Sequence, residues 1–105
     1  MLASFNSIAE LEALLAKPNL TVVDFTATWC GPCRMIGPIF ERFSGQYTDV
    51  TFVKLDIDDP AYTSFVQKHN VTSLPTFIFF KNGQAVARFS GADAGTLKRH
   101  IEANM

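Results

Sequence analysis

Two cysteines, Cys30 and Cys33, stand at the junction between a short apolar segment and a helical pattern, and this junction constrains the fold most. The apolar segment, "LTVVDFTA", is rich in β-branched residues and follows the turn signal of Pro18 and Asn19. These features predict a strand that is buried on both faces. Apolar residues recur at helical spacing after the pair: Met35, Ile36, Ile39, Phe40 and Phe43. The cysteines are therefore expected where a core strand hands over to an α-helix.

The rest of the chain continues this alternation of strands and helices. Ser7 and Glu10 form a capping-box pattern before a first helix. "VTFVKLDI" predicts a strand, "PAYTSFVQKHN" a helix, and "TFIFFKNGQAVARFS" two strands joined by a turn at Asn82 and Gly83. Asp93 is placed to cap a last helix. Pro38 lies inside the helix that follows the cysteines and predicts a kink there, because it donates no backbone hydrogen bond.

With one further strand before the first helix, the predicted order is β-α-β-α-β-α-β-β-α. This order predicts an α/β fold with a central, mixed, mostly parallel sheet of five strands. Helices are expected on both faces, and the chain ends in a β-hairpin and a helix. At 105 residues with 48% hydrophobic content, residues 1–105 are expected to form a single domain with its own core.

The charge and hydropathy of the chain argue against two classes of partner. Nine Lys and Arg against ten Asp and Glu give a net charge of −1, so the protein is not expected to bind nucleic acid or an anionic membrane. No apolar run approaches the roughly 18 residues that span a bilayer. Because "MLASFNSIAE" lacks the basic and apolar regions of a targeting signal, a cytoplasmic location is expected.

The position of the cysteines predicts their chemistry. Cys30 is expected at the helix N-cap, with Gly31 and Pro32 in the first turn, where a missing N–H does no harm. The unpaired N–H groups and the positive end of the helix dipole stabilise a thiolate, so Cys30 is the expected nucleophile. Cys33 lies on the same helical face, within reach of a disulfide, and is expected to be the more buried, resolving thiol.

Two other roles for the cysteine pair are weaker. A purely structural disulfide would close a loop of only four residues and contribute roughly 2 kcal/mol. A zinc site would need two more ligands, and His69 and His100 are too far apart in sequence for a zinc-finger pair. Neither a metal ion nor a cofactor is therefore expected.

The chain resembles the thioredoxin family over nearly its whole length. The resemblance is carried by "DFTATWCGPCRMIGP", "KLDID", "SLPTFIFFKNGQ" and "FSGAD", which occur in the order that the family shows. It implies a thioredoxin fold with a cis peptide bond between Leu74 and Pro75, packed against the cysteines. It also implies a substrate-binding surface, which consists of Trp29, Gly31, Pro32, Leu74, Pro75, Gly91 and Ala92.

Three charged residues gain roles from the resemblance. Asp24 is an acid within an apolar strand, and burial there is expected to raise its pKa. By resemblance, Asp24 takes the proton from Cys33 as that thiol attacks, and Lys54 modulates the pKa of Asp24. Asp58 matches the position that accepts a hydrogen bond from the indole N–H of Trp29.

The function implied is a general protein-disulfide reductase. Its expected partners are disulfide-containing proteins and an NADPH-dependent thioredoxin reductase as electron donor, and the chain is expected to be a monomer. The dipeptide Gly-Pro between the cysteines favours this function over a disulfide oxidase or isomerase domain. A binding or assembly module, in which the thiols are incidental, is a further alternative.

Overall fold

A computed structural model describes all 105 residues of the chain. Four α-helices are present: α1 Ile8–Leu15, α2 Gly31–Gln46, α3 Thr63–Lys68 and α4 Ala94–Asn104. Four strands accompany them: β1 Thr21–Thr26, β2 Thr51–Asp56, β3 Thr76–Lys81 and β4 Gln84–Ser90. A 3-10 turn, Pro60–Tyr62, leads into α3. No helix has the length and apolar character that crossing a membrane requires.

The strands form one sheet in the order β2-β1-β3-β4. Strands β1 and β2 run parallel, whereas β1 with β3 and β3 with β4 run antiparallel. The prediction of five strands in a mostly parallel sheet is therefore wrong in detail. The expected strand before α1 does not form. Its segment makes one backbone hydrogen bond to β2, in which the Ala3 N–H donates to the Phe52 carbonyl at 2.8 Å. Without this strand, only one parallel pair remains.

Helices cover both faces of the sheet, as predicted, and each face has its own apolar core. On one face, the core between the sheet and helices α2 and α4 consists of eleven buried residues: Leu20, Val22, Ile36, Phe40, Phe43, Val50, Phe52, Phe77, Phe79, Leu97 and Ile101. On the other face, α1, the 3-10 turn and α3 cover Val23, Phe25, Val53, Leu55, Ile78 and Phe80. Since β1 and β3 lie in the interior of the sheet, every residue of the two strands except Lys81 is buried, which explains why Asp24 and Lys81 are the only charged residues in them.

The turn between β3 and β4 has the geometry that its sequence predicts. Asn82 and Gly83 have φ values of 52° and 79°, which is the left-handed pair that a type I′ hairpin turn requires. The N–H groups of both residues also donate to carbonyls of the α1 region, at Lys17 and Leu15. The turn therefore ties the hairpin to the first helix.

Helix α1 begins with the predicted cap, in which the Glu10 N–H donates to Ser7 Oγ at 3.1 Å. Ser7→Ala removes this acceptor, and we expect it to lower the free energy of unfolding by about 1 kcal/mol. Urea denaturation measures the loss. Ser4→Ala is the matched control, because Ser4 is exposed and precedes the cap. Equal effects of the two substitutions would contradict the role of Ser7 as a cap.

Candidate active site

Cys30 is the N-cap of α2 and is joined to Cys33 by a disulfide. The two Cα atoms are 5.3 Å apart, and the Cys33 N–H donates to Cys30 Sγ at 3.2 Å. Pro32 lies in the first turn, where no backbone donor is needed. The predicted strand-to-helix junction is thus confirmed. The pair can cycle between a disulfide and a dithiol without moving the backbone far, since its Cα separation suits a disulfide.

The two sulfurs lie in a small apolar environment. The side chains of Cys30 and Cys33 are 5% and 3% exposed, and with Ala27 they form a cluster against which Ile57 and Leu74 pack. Cys33 is the more buried of the two, as expected, but only slightly so while the pair is oxidised. A more useful distinction is that the two residues border different cavities.

Cys30 lines a groove of about 450 Å³, which we call the docking groove. One side is formed by the active-site loop and the other by the segment that precedes the cis peptide bond. Its lining consists of Trp29, Cys30, Gly31, Pro32, Ile57, Val71, Thr72, Ser73 and Leu74. Apolar and small uncharged side chains dominate this lining, so the groove offers a polypeptide shape and apolar contact rather than a charge.

Three of the predicted surface residues lie outside this lining. The peptide bond between Leu74 and Pro75 is cis, as the resemblance implied, and Pro75 is buried. The Gly91 N–H donates to the Pro75 carbonyl at 2.9 Å, and Gly91 has a φ of 113°, which favours glycine. Ala92 follows as an exposed residue. The structure therefore connects Gly91 to Pro75 but does not place Pro75, Gly91 or Ala92 in the docking groove.

Trp29 stands at the edge of the docking groove with 65% of its surface exposed. Its indole Nε1–H donates to Asp58 Oδ2 at 2.7 Å, as the resemblance implied. Asp56 in turn accepts a hydrogen bond from the Asp58 N–H at 2.9 Å, which fixes the loop after β2. A large apolar ring is thus held in an exposed position by its polar atom. This arrangement differs from core packing and is typical of an aromatic contact residue.

Asp24 lies in the middle of β1 and is fully buried. Neither carboxylate oxygen has a hydrogen-bond partner in the chain. Burial raises the pKa of Asp24 from 3.8 to about 7, and the positive charge of Lys54 opposes this increase. Lys54 is directly opposite Asp24 in the parallel pair of β1 and β2. Asp24 shares the face of the sheet that α2 covers, because Val22 and Thr26, which flank it at period two, point the same way.

Cys33 borders a second cavity of about 670 Å³ on the other side of the α2 N-terminus. Its lining combines backbone and side chains of α2 with the ends of β1 and β2: Thr26, Ala27, Thr28, Cys33, Arg34, Gly37, Pro38, Glu41, Lys54 and Asp56. Two of the predicted residues, Lys54 and Pro38, therefore lie here rather than at the docking groove. Helix α2 continues through Pro38 to Gln46.

Sequence reasoning missed part of both cavities. Val71 and Thr72 line the docking groove although they lie in a connecting segment outside the recognised motifs, and Ile57 lines it from within the "KLDID" motif without having been predicted as a site residue. Both apolar residues carry a usable signal, because Ile57 is the last residue of a predicted strand and Val71 directly follows a predicted helix. Arg34, Glu41 and Asp56 around the second cavity gave no comparable signal, since charged residues at helix surfaces and strand ends are normally solvated.

The family model named Thioredoxin matches residues 4–103 of the chain. The chain belongs to the thioredoxin family. It is 44% identical over 104 residues to thioredoxin-1 of Saccharomyces cerevisiae, with 99% of each chain covered. It is also 44% identical over 105 residues to thioredoxin of Gallus gallus, with 97% of each chain covered.

Solved structures of the family agree with the fold. The X-ray structure of Fasciola hepatica thioredoxin matches with a TM-score of 0.88 at 42% identity and covers 94% of this chain and 95% of its own. A Plasmodium falciparum thioredoxin structure matches with a TM-score of 0.88 at 40% identity, covering 96% and 97%. The thioredoxin fold predicted from the sequence is thus confirmed. The chain is a protein-disulfide oxidoreductase, and its redox-active pair is Cys30 and Cys33.

Proposed function

We propose that this family member reduces disulfides in many protein substrates through its Cys30 and Cys33 dithiol, and that an NADPH-dependent thioredoxin reductase regenerates the dithiol. The observation that carries the proposal is the Cys30–Cys33 disulfide at the N-terminus of α2, with Cys30 on the docking groove. The groove gives a polypeptide disulfide access to Cys30 Sγ, whereas Cys33 borders the second cavity.

In the first step, the Cys30 thiolate attacks one sulfur of the substrate disulfide. A bond forms between Cys30 Sγ and that sulfur, and the other substrate sulfur leaves as a thiolate. Negative charge on Cys30 Sγ is stabilised where it forms, because it lies at the helix N-terminus and accepts the Cys33 N–H at 3.2 Å. Cys30 is therefore the proposed nucleophile.

In the second step, Cys33 resolves the mixed disulfide. Its thiol loses a proton, its sulfur attacks Cys30 Sγ, and the second substrate sulfur leaves as a thiolate. The substrate has gained two electrons and the protein ends as the disulfide described above. We assign the proton acceptor to Asp24, because it is a buried, unpaired carboxylate with a pKa of about 7 on the sheet face beneath α2. Lys54 opposite it keeps that pKa from rising further.

Substrate binding is assigned to the docking groove and the residues next to it. Trp29, Gly31, Pro32 and Leu74 line the groove. Pro75, Gly91 and Ala92 are assigned to substrate binding from the family resemblance, and the Gly91 N–H bond to the Pro75 carbonyl links two of them. Leu74 is half-buried, and its backbone N–H and carbonyl are not engaged in hydrogen bonds within the chain. They are suited to pair with an extended substrate segment, as a strand pairs with a sheet edge.

The chain is proposed to act as a single-domain monomer in the cytoplasm. The cytoplasm is proposed because a reductase needs a compartment in which its dithiol is restored. The monomer is proposed because Cys30 and Cys33 are the only cysteines in the chain, so no further thiol is left for a link between subunits. No metal ion takes part in the proposed exchange.

A coupled assay tests this function. The protein, a thioredoxin reductase, NADPH and insulin are combined, and NADPH oxidation is followed at 340 nm. We expect turnover that depends on all four components, because electrons must pass from the reductase through the Cys30 and Cys33 pair to insulin. A variant with both cysteines changed to serine is the control. Full insulin reduction by that double variant, or its absence with the unaltered protein, would overturn the proposal.

A further inference from the structure

We propose that Arg88 is a positioning residue that holds one wall of the docking groove in place for polypeptide substrates. This inference rests on the proposed function. The wall in question is the segment 69–74, which follows α3 and contributes Val71, Thr72, Ser73 and Leu74 to the groove. Arg88 lies in the predicted hairpin but outside the motifs that carry the family resemblance, and it is outside the groove itself.

The contact is made by the guanidinium group with two consecutive carbonyls. Arg88 Nη1–H donates to the His69 carbonyl at 2.6 Å, and Nη2–H approaches the Asn70 carbonyl at 3.4 Å. Arg88 belongs to β4 and is paired with Ile78 of β3, whose side chain lies in the core beneath α3. Side chains of paired residues point to the same face of a sheet, so Arg88 lies on the face that α3 covers.

The end of α3 needs such a contact. The helix has only six residues, and the chain leaves it through Asn70, whose φ of 53° is in the left-handed region. The carbonyls at a helix C-terminus lack intrahelical partners and carry the negative end of the dipole, which favours a cation. A planar guanidinium can bond two neighbouring acceptors at once, which a lysine does less well.

The two ends of segment 69–74 are held by different groups. At the far end, Thr76 Oγ1–H donates to the Ser73 carbonyl at 2.7 Å. At the near end, the His69 ring packs against Phe65 and Phe80, with ring centroids 4.6 Å and 5.3 Å away. Arg88 binds the backbone carbonyl of the same residue. The next main-chain hydrogen bond from this segment to α3 is long: the Val71 N–H donates to the Val66 carbonyl at 3.4 Å.

The positive charge of Arg88 also affects the pKa of the His69 side chain. Burial lowers the pKa of His69, and the positive charges of Lys68 and Arg88 lower it further. The lowered pKa favours the neutral imidazole against the two phenylalanine rings near neutral pH. This supports the same conclusion, since a neutral ring holds its place in an apolar cluster more readily than a cation.

The consequence for activity depends on the size of the substrate. A polypeptide must fit between Trp29 and the 69–74 wall, so a displaced wall slows the formation of its mixed disulfide. A small disulfide needs only to reach Cys30 Sγ. Arg88 should thus affect protein disulfides selectively, which a general effect on the cysteines or on folding would not do.

The test compares Arg88→Met with Arg88→Lys and with Arg99→Met. Arg99 is a matched control, because its guanidinium contacts Thr96 within α4, away from the groove. Second-order rate constants are measured for each reduced variant with insulin and with bis(2-hydroxyethyl) disulfide, which is small and uncharged. For Arg88→Met we expect insulin reduction to slow about three- to tenfold, with the small disulfide unchanged. Arg88→Lys should fall between, and Arg99→Met should match the unaltered protein.

Amide hydrogen exchange gives a second readout. The N–H groups of Asn70 and Val71, which donate to carbonyls of α3, should exchange faster in Arg88→Met than in Arg99→Met, while those of β1 and β3 are unchanged. Equal slowing with both disulfides, unchanged insulin reduction, or unchanged exchange at these amides would each overturn the role of Arg88. Failure of the unaltered protein to reduce either disulfide would instead contradict the proposed function, so the two failures are distinguishable.

Discussion

Cys30→Ser is expected to reduce the rate of insulin reduction to the uncatalysed background, at least about 10³-fold below the unaltered protein. A hydroxyl at this position forms no disulfide with the substrate, and Cys33 borders the second cavity rather than the docking groove. Loss of the first sulfur therefore removes the step that starts exchange. The coupled NADPH assay measures the effect.

Cys33→Ser is the matched variant, and it should fail in a different way. Cys30 can still attack, but no second thiol resolves the product, so the substrate stays covalently attached. Non-reducing electrophoresis after incubation with a disulfide protein should show a mixed-disulfide band that dithiothreitol removes. The reverse pattern, with trapping by Cys30→Ser and release by Cys33→Ser, would exchange the roles assigned to the two sulfurs.

Much of this site follows from local sequence. The position of Cys30 at a helix N-terminus depends on a strand of β-branched residues, a proline tolerated in the first turn and apolar residues at helical spacing, all of which are near neighbours. The hairpin turn at Asn82 and Gly83 was equally predictable, because its left-handed backbone needs those residue types.

Other features depend on contacts between distant segments and were not predictable in the same way. The strand expected before α1 failed to form, since a segment with one hydrogen bond to β2 has too little pairing to extend. The docking groove is lined by Ile57, which follows β2, and by Val71, which lies beyond α3; only the fold brings these two residues together. Arg88 reaches from the edge strand β4 to the carbonyls at the end of α3, a contact that only the fold creates. In sequence, an isolated arginine in an edge strand normally indicates a solvated position.

Asp24→Asn is expected to stabilise the protein increasingly as the pH rises from 4 to 8. Burial raises the pKa of Asp24 from 3.8 to about 7 in the folded chain. Between these values the unfolded chain loses this proton while the folded chain keeps it, so the free energy of unfolding falls as the pH rises. Each unit of pKa difference corresponds to about 1.4 kcal/mol, so ionised Asp24 destabilises the fold on the order of 4 kcal/mol.

Urea denaturation at pH 4 and pH 8 measures this effect as a difference between the two proteins. Near pH 4 the carboxyl is protonated in the fold and resembles an amide in size, so the two free energies of unfolding should be close. By pH 8 the asparagine variant should be the more stable by up to about 4 kcal/mol. Lys54→Met is the companion variant, because loss of the opposing charge should move the midpoint of the pH dependence upward. A difference that is constant across this range would contradict the raised pKa.

The same variant separates a buried acid from a proton acceptor. Stopped-flow measurement of mixed-disulfide resolution should show a rate that rises through pH 7 in the unaltered protein, since the carboxylate form accepts the Cys33 proton. In Asp24→Asn we expect this inflection to disappear and the rate near neutral pH to fall about tenfold or more. If stability changes with pH as described but the resolution rate and its inflection persist, the Cys33 proton goes elsewhere. The cavity beside Cys33 would then supply the acceptor, and Glu41 or Asp56 on its lining would be the residues to replace next. The two readouts distinguish these cases because stability reports only where the Asp24 proton resides, whereas the resolution rate reports whether the Cys33 proton reaches it.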